Sequence, residues 1–94
     1  MISIKEIDYQ EFELCFELDS STICLWNKKQ WESEFNKIGV KVVALLIGKK
    51  IIGIYVVQTI IDEAQINYFS IKQRFRRKGY GSFLMNYLIK QCIE

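Results

Sequence analysis

The chain has 94 residues, half of them hydrophobic, and a formal net charge of +2. This length suffices for one domain with a modest core and is too short for two. Three cysteines without a CxxC spacing, and no histidine, argue against a metal site and for reduced thiols. No apolar run reaches the roughly 18 residues of a membrane span, so we expect a cytoplasmic protein without a membrane partner.

The charge is divided unevenly along the chain. The first 35 residues hold eight acids against three lysines, whereas residues 64–93 hold six bases and no acid. This division suggests a basic surface for a polyanionic ligand and an acidic surface for a basic partner. Solvated acidic helix faces explain the N-terminal half equally well.

The first 18 residues predict a strand followed by a helix. Ile2 and Ile4 alternate with polar residues, as in a short strand. Asp8 and Glu11 have the spacing of a capping box, so we expect a helix from there to about Leu18. The inner face of this helix is predicted to hold Phe12, Cys15 and Phe16.

A second helix follows a loop over residues 19–26. Asn27 and Gln30 have the spacing of another capping box, and the helix is expected to end near Gly39. Its inner face is predicted to hold Trp31, Phe35 and Ile38. Two short helices therefore precede the rest of the sheet.

The middle of the chain predicts an antiparallel meander of three strands. The β-branched runs 40–47 and 51–61 are joined by Gly48-Lys49-Lys50, a typical hairpin sequence. Asp62 and Glu63 turn the chain into a third run, 64–71. A last helix begins near Gly81, and its inner face is predicted to hold Leu84, Tyr87, Leu88, and Gln91 or Cys92.

A basic, glycine-containing loop lies between the last strand and the last helix. The three arginines of the chain, Arg74, Arg76 and Arg77, immediately precede the segment 78–82, which reads KGYGS. Glycines let backbone N–H groups turn inward, and a helix start adds unpaired N–H donors and partial positive charge. Together with the basic side chains, these features predict a site for a phosphorylated cofactor.

This loop fits neither of two common phosphate-binding motifs. The dinucleotide fingerprint requires a third glycine where Leu84 stands, and an acid about 20 residues further on. A Walker loop requires a lysine directly after its second glycine, whereas Lys78 precedes Gly79. Both interpretations are therefore rejected.

A strand, a basic loop with Arg76-x-x-Gly79-x-Gly81, and a helix resemble the acetyl-CoA site of the GNAT superfamily of N-acetyltransferases. The predicted order β-α-α-β-β-β-α, an α/β fold with a mainly antiparallel sheet, agrees with this resemblance. The run 62–71, DEAQINYFSI, looks most like the ribosomal-protein alanine N-acetyltransferases, and residues 25–31 are similar to their Pro-Trp-Ser segment. The resemblance implies a single partial domain over residues 1–94, its cofactor-binding portion.

The resemblance also implies an activity and its site. The chain would transfer acetyl from acetyl-CoA to an amine, most readily the N-terminal amino group of a basic protein. The backbone of Phe69, Ser70 and Ile71 would bond the pantetheine arm as another strand would. Trp26, in the loop before the second helix, is the candidate for acceptor binding. The pyrophosphate would be wrapped by Arg76, Arg77, Lys78, Gly79, Tyr80, Gly81 and Ser82.

We assign no catalytic residue from the sequence. In the alanine acetyltransferases, the glutamate and tyrosine that handle the proton follow the helix that ends this chain. Glu63, Asn67 and Tyr68 are the nearest polar groups, but a strand-end turn or packing on the sheet explains them better. Packing is also the better explanation for Trp31 and Phe75. Arg74 is as well explained by solvent exposure as by a contact with the ribose phosphate.

The chain departs from the family pattern in two ways. Gln73 replaces a proline that is common just before the loop, which makes the loop less rigid. The family's domain also continues through a strand, a helix and a hairpin, without which the edge of the run 64–71 is open and favours a homodimer. A truncated gene product, a fragment and a natural short form completed by another chain all agree with the sequence.

Two other functions are compatible with parts of this pattern. A non-catalytic acyl-CoA-binding or dimerising remnant of the fold explains the lack of proton-handling residues. A nucleic-acid-binding module would use the same basic loop, but interleaved exposed aromatics and a helix-turn-helix pattern are lacking. We therefore expect no nucleic-acid partner.

Overall fold

The computed structural model describes residues 1–93. Its helices and strands follow the predicted order, as β1 (Ile2–Glu6), α1 (Phe12–Ser20), α2 (Lys28–Phe35), β2 (Val40–Ile47), β3 (Lys50–Ile60), β4 (Glu63–Ile71) and α3 (Tyr80–Ile93). Short 3-10 helices at Tyr9–Glu11 and Gln73–Phe75 precede α1 and the basic loop. The described strands form one antiparallel sheet in the order β1-β2-β3-β4. The predicted fold class is confirmed.

The helices cover the two faces of the sheet. On one face, Cys15 of α1 and Trp31 of α2 pack against alternate strand residues, including Val56 and Tyr68. On the other face, α3 contributes Leu84 and Leu88, which pack against the intervening strand residues Val43, Leu45, Ile52, Tyr55, Val57 and Ile71. Because side chains alternate between the faces of a strand, the continuous β-branched runs of β2 and β3 supply both layers.

A β-bulge interrupts the pairing of β3 with β4. Val57 is opposite Ile66 and Val56 is opposite Tyr68, so Asn67 has no partner on β3. A bulge bends its strand and re-aims neighbouring side chains, and bulges are common beside active sites. In this protein the bulge lies in the middle of the last strand of the described sheet.

The predicted helix caps are largely confirmed. Asn27 Oδ1 accepts a bond from the N–H of Gln30 at 2.8 Å, and Gln30 Oε1 accepts one from the N–H of Asn27 at 2.9 Å. At α1 the backbone N–H of Asp8 donates to Glu11 Oε1 at 3.4 Å, and a 3-10 turn precedes the helix. The prediction of a loop from residue 19 was wrong at its start, because α1 continues to Ser20.

One detail of the predicted helix faces differs from the structure and another agrees with it. Ile38 was predicted to lie on the inner face of α2, but this prediction was wrong because α2 ends at Phe35, and Ile38 is 91% exposed. Gln91 and Cys92 lie on the same side of α3 as Tyr87, where they line a cavity of about 360 Å³.

Within residues 1–93, no helix is long and apolar enough to cross a membrane.

Candidate functional site

The basic loop presents a run of unpaired backbone donors. From Arg77 to Ser82, no backbone N–H donates a hydrogen bond within the described residues, and the first helical bond runs from Phe83 N to Gly79 O. Arg77 and Gly79 have positive φ values of 63° and 86°, a conformation that turns successive N–H groups toward one side. No atom outside residues 78–80 lies within 4 Å of where a Cβ of Gly79 would be. The loop therefore has both donors and space for an anion.

Positive charge surrounds this run of donors. Arg77 and Lys78 are exposed, and neither forms an ion pair within residues 1–93. The side chain of Arg76 is directed differently, because its Nε donates to the carbonyl oxygen of Ile71 at 2.9 Å. Arg76 thereby fastens the loop to the end of β4. The start of α3 adds the partial positive charge of a helix N-terminus.

The aromatic residues at this end stabilise the loop by packing. Phe75 and Tyr80 are partly buried against the α3 layer of the core, and their rings meet edge to face at 6.2 Å between centroids. Arg74 lies over the Phe75 ring, with its guanidinium carbon 5.7 Å from the centroid. The packing interpretation of Phe75 agrees with these contacts. The predicted cofactor contacts of Tyr80 and Ser82 stay predictions.

The outer edge of β4 presents backbone groups that no described strand pairs. Lys72 N donates to Ile52 O at 2.7 Å, so the hydrogen bonds of alternate residues, including Ser70, are directed toward β3. The backbone groups of Phe69 and Ile71 are therefore directed toward the outer edge. The Ile71 carbonyl accepts a bond from Arg76. The Ile71 N–H and the N–H and C=O of Phe69 therefore remain unpaired within the described residues. Ser70 is therefore unsuited to the predicted backbone contact with the pantetheine arm, which stays a prediction for Phe69 and Ile71.

A buried carboxylate joins the first helices to β4. Asp19 is 0% exposed, and its oxygens accept bonds of 2.9 Å from the backbone N–H groups of Leu25 and Trp26, the indole of Trp31 and the hydroxyl of Tyr68. Burial raises the pKa of Asp19, but the hydrogen bonds outweigh this effect and hold the pKa below its ordinary value. Asp19 therefore remains a carboxylate that stabilises the loop before α2.

Tyr68 and Ser70 extend this network along β4. The Ser70 hydroxyl donates to the Tyr68 hydroxyl at 2.8 Å, and Tyr68 donates in turn to Asp19. Burial raises the pKa of Tyr68 to about 12, with the neighbouring Asp19 carboxylate as a further cause. Tyr68 therefore remains protonated at neutral pH, which agrees with the packing interpretation and disfavours a role as a base.

Trp26 lies at the boundary between this network and a surface pocket. Its ring packs against Trp31 at 4.8 Å and against Tyr68 at 5.3 Å between centroids. Trp31 is fully buried, which confirms its assignment to the core. Trp26 is only partly buried, and it lines a pocket of about 400 Å³ together with Glu34 and Asn67. The structure thus places the acceptor candidate beside the bulge of β4.

Two residues of this region were not singled out in the sequence. Asp19 falls four residues after Cys15 on the inner face of α1, so helical periodicity marks it as an acid at a core position. Glu34 falls three residues after Trp31 and is likewise buried, at 4% exposure. In each case the signal was an acid on an otherwise apolar helix face, which indicates either a buried network or a binding site.

The fold and the loop together define the class of protein. The model of the acetyltransferase (GNAT) family matches residues 4–94. The chain therefore belongs to the GNAT family of acetyltransferases, which use acetyl-CoA.

Among residues 1–93, no group of three or more potential metal-ligating side chains is present.

Several solved acetyltransferases share this fold. Ribosomal-protein-S18-alanine N-acetyltransferase from Escherichia coli matches with a TM-score of 0.89 at 18% identity, over 98% of this chain and 59% of that one. Ribosomal-protein-alanine N-acetyltransferase from Brucella melitensis biovar Abortus matches with a TM-score of 0.80 at 12% identity, over 97% of this chain and 71% of that one. The chain thus spans 59% of the E. coli enzyme.

A third structure carries the cofactor. The PaiA N-acetyltransferase from Thermoplasma acidophilum, solved in complex with coenzyme A, matches with a TM-score of 0.72 at 14% identity, over 98% of this chain and 72% of that one. At such identities these likenesses establish the fold. Among curated proteins, none matches the sequence significantly.

Proposed function

We propose that this chain binds acetyl-CoA and transfers its acetyl group to an amine, with the N-terminal amino group of a basic protein as acceptor. The observation that carries this proposal is the run of unpaired backbone N–H groups from Arg77 to Ser82, at the start of α3 and among basic side chains. The same residues fit a pyrophosphate in charge and in the space beside Gly79. The likeness to two ribosomal-protein alanine N-acetyltransferases supports the choice of acceptor.

Each part of the proposed site has its own task. The amides of residues 77–82 and the charges of Arg77 and Lys78 bind the pyrophosphate, while Arg76 positions the loop through the Ile71 carbonyl. The unpaired backbone groups of Phe69 and the Ile71 N–H bind the pantetheine arm along the edge of β4. A cofactor held in this way extends from the loop toward the bulge at Asn67.

Acetyl-CoA supplies an activated thioester when it is bound. The amide N–C bond forms as the thioester C–S bond breaks, and the proton that the amine loses balances the charge of the departing thiolate. The Phe69 N–H, directed to the outer edge, is the donor nearest the bulge and would stabilise negative charge on the thioester oxygen. The chain contributes chiefly positioning, which by itself lowers the barrier substantially.

One observation favours a second function. Tyr68, the tyrosine nearest the bulge, is buried and bonded to Asp19 and Ser70, so among residues 1–93 no tyrosine at this edge is available to handle a proton. A non-catalytic acyl-CoA-binding form, which dimerises through the outer edge of β4, would require no such group. The unpaired backbone of Phe69 supports this homodimer.

A transfer assay separates the two functions. The purified chain is incubated with acetyl-CoA and a peptide that begins with alanine followed by basic residues, and acetylated peptide is measured by mass spectrometry. The proposed transferase forms product, and Gly81→Glu abolishes its formation. Acetyl-CoA binding without product would support the non-catalytic form instead.

A further inference from the structure

A pocket of about 400 Å³ lies between α2 and the first half of β4. Its wall includes the partly buried ring of Trp26, and its other lining residues include Glu34, Lys37, Gln65 and Asn67. The pocket opens beside the bulge, on the opposite side of the sheet from α3. It is separate from the basic loop, because no residue of the loop lines it.

The carboxylate of Glu34 is the distinctive group in this pocket. Glu34 is 4% exposed, its Oε1 accepts a bond from Asn67 Nδ2 at 2.6 Å, and its Oε2 pairs with Lys37 Nζ at 2.8 Å. A buried carboxylate is costly unless hydrogen bonds and a positive charge accompany it. The pocket therefore has a built preference for a cation at Glu34 Oε2.

Lys37 shows which kind of cation fits. Its primary ammonium already occupies the position beside Glu34, yet its side chain is 49% exposed and lies just after the end of α2. Another ammonium that takes the place of Lys37 keeps the buried carboxylate paired, so the exchange leaves no buried charge without a partner. The nearby ring of Trp26 adds an aromatic surface that also favours cations.

The location relates this cation site to the proposed reaction. Asn67 is the bulged residue of β4 and precedes Phe69 by two residues, about 7 Å along a strand. Because Glu34 bonds to Asn67, a group held at Glu34 lies near the outer edge of β4 at Phe69, where the thioester would be positioned. An ammonium bound to Glu34 keeps its proton and cannot attack, so the reacting amine must be a second, neutral nitrogen.

We infer that this pocket binds a cationic group of the acceptor, and hence that the acceptor carries a positive charge besides the amine that is acetylated. This inference rests on the proposed transferase function. A basic peptide N-terminus and a small polyamine share the required chemistry. Glu34 is the anchor for the cation, and Lys37 is the intramolecular competitor that the acceptor displaces.

The test measures binding of small amines by NMR, from the indole N–H signals of the full chain. The probes are the peptide Ala-Arg-Ala-amide, its singly charged counterpart Ala-Gln-Ala-amide, and spermidine. We expect Glu34→Gln to weaken binding of the doubly charged peptide at least tenfold, and Lys37→Met to tighten it severalfold. Glu17→Gln, which removes an exposed acid of α1, is the charge-matched control and should change nothing.

Several outcomes would overturn the inference. Unchanged affinity in Glu34→Gln, no tightening in Lys37→Met, or equal binding of the two peptides would each do so. Lys37→Met retains the hydrogen bond from Asn67 to Glu34 and so tests the same carboxylate where Glu34→Gln unfolds. Tighter binding of the Ala-Arg-Ala peptide than of spermidine would support a protein acceptor, and the reverse order a polyamine.

Coenzyme A binding separates this inference from the proposed function. Glu34→Gln should bind coenzyme A as tightly as the unmodified chain does, because the basic loop is elsewhere. Glu34-dependent cation binding without any coenzyme A binding would leave the cation site standing and reject the transferase proposal. Coenzyme A binding without Glu34-dependent cation binding would do the reverse.

Discussion

Four hydrogen-bond donors converge on the Asp19 carboxylate, two from the loop before α2 and one each from Trp31 and Tyr68. We predict that Asp19→Asn lowers the free energy of unfolding by about 2–4 kcal/mol. The NH2 group of asparagine would face N–H and O–H donors, so buried donors would be left without an acceptor. Urea unfolding measures the change. Asp62→Asn, at an exposed turn, should alter stability by less than about 0.5 kcal/mol. Equal effects of the two substitutions would contradict the role of Asp19.

The same carboxylate predicts how stability depends on pH. Burial raises the pKa of Asp19, but its hydrogen bonds lower the pKa by more than burial raises it. The pKa therefore lies below the ordinary value of 3.8. A depressed pKa in the folded state gives stability that is complete above the unfolded pKa and is lost as the pH falls through the folded value. We therefore expect the urea concentration at the unfolding midpoint to decrease as the pH is lowered below about 4. This decrease should be less steep in Asp19→Asn. An identical acid limb in both proteins would argue against this origin.

Gly81 offers a direct test of the anion site. A Cβ at this position would lie 3.8 Å from Ile71 Cγ1, an ordinary contact, so a side chain is compatible with the fold. Gly81→Glu places a carboxylate beside the unpaired amides, and we predict at least a 100-fold loss in coenzyme A affinity, about 2.7 kcal/mol. Gly81→Ala is the matched control and should lose less than about threefold, or 0.6 kcal/mol. Similar losses in both variants would indicate steric disruption instead of repulsion.

Residues whose role depends on distant partners were the hardest to predict. The loop residues 76–82 were predicted as a binding site because glycines, cations and a helix start occur together within a few positions. The role of Asp19 depends on Tyr68, 49 positions away, and no local signal reports that partner. Glu34 depends likewise on Asn67, 33 positions away. In both cases the sequence showed only an acid on an apolar helix face.

At the scale of elements, local signals predicted the helices and strands but not every boundary. The capping box at Asn27, the hairpin at Gly48-Lys49 and the turn before β4 each operate within about four residues, and their elements form as predicted. The end of α2 was missed because Ile38 continues the apolar periodicity after the helix has ended. Its carbonyl oxygen instead accepts a bond from Gln58 Nε2 at 3.1 Å, which holds this segment beside β3.

Gly39 and Gly48 test how β2 is held. Both have positive φ, 81° and 62°, but a Cβ on Gly39 would overlap the Thr59 carbonyl oxygen, whereas nothing lies within 4 Å at Gly48. We predict that Gly48→Ala costs about 1 kcal/mol, for the left-handed conformation alone. Gly39→Ala should cost about 3 kcal/mol, because the start of β2 must also shift away from β3. Thermal unfolding compares the two, and equal costs would mean that the Thr59 contact is unimportant.

At the scale of the whole molecule, most of the topology was predicted because strand order follows chain order. β2, β3 and β4 pair in chain order as the predicted meander, whereas the pairing of β1 with β2, across α1 and α2, had no signal of its own in the sequence. The bases Arg77 and Lys78 lie just before α3, whereas the acids Asp19 and Glu34 lie on α1 and α2, where both are buried and so form no acidic surface. The bulge at Asn67 was not predicted, because it depends on the register between β3 and β4.

The basic region predicts that coenzyme A binding depends on salt. Exposed cations such as Lys78 attract phosphates through a field that salt screens within about 10 Å at 0.1 M. We expect affinity to fall severalfold between 50 and 500 mM sodium chloride, and Lys78→Met to flatten that dependence. Lys90→Met removes an exposed charge from the far end of α3 and should leave the slope unchanged. Identical slopes in all three proteins would place the phosphates elsewhere.

The central claim is that residues 69–82 form an acetyl-CoA site, and calorimetric titration of acetyl-CoA into the 94-residue chain tests it most directly. Circular dichroism on the same sample establishes that the chain is folded, and light scattering records its mass in solution. We predict saturable binding of about one acetyl-CoA per chain, which Gly81→Glu abolishes. A folded chain that binds no acetyl-CoA, or a Gly81→Glu variant that binds it unchanged, would contradict this account.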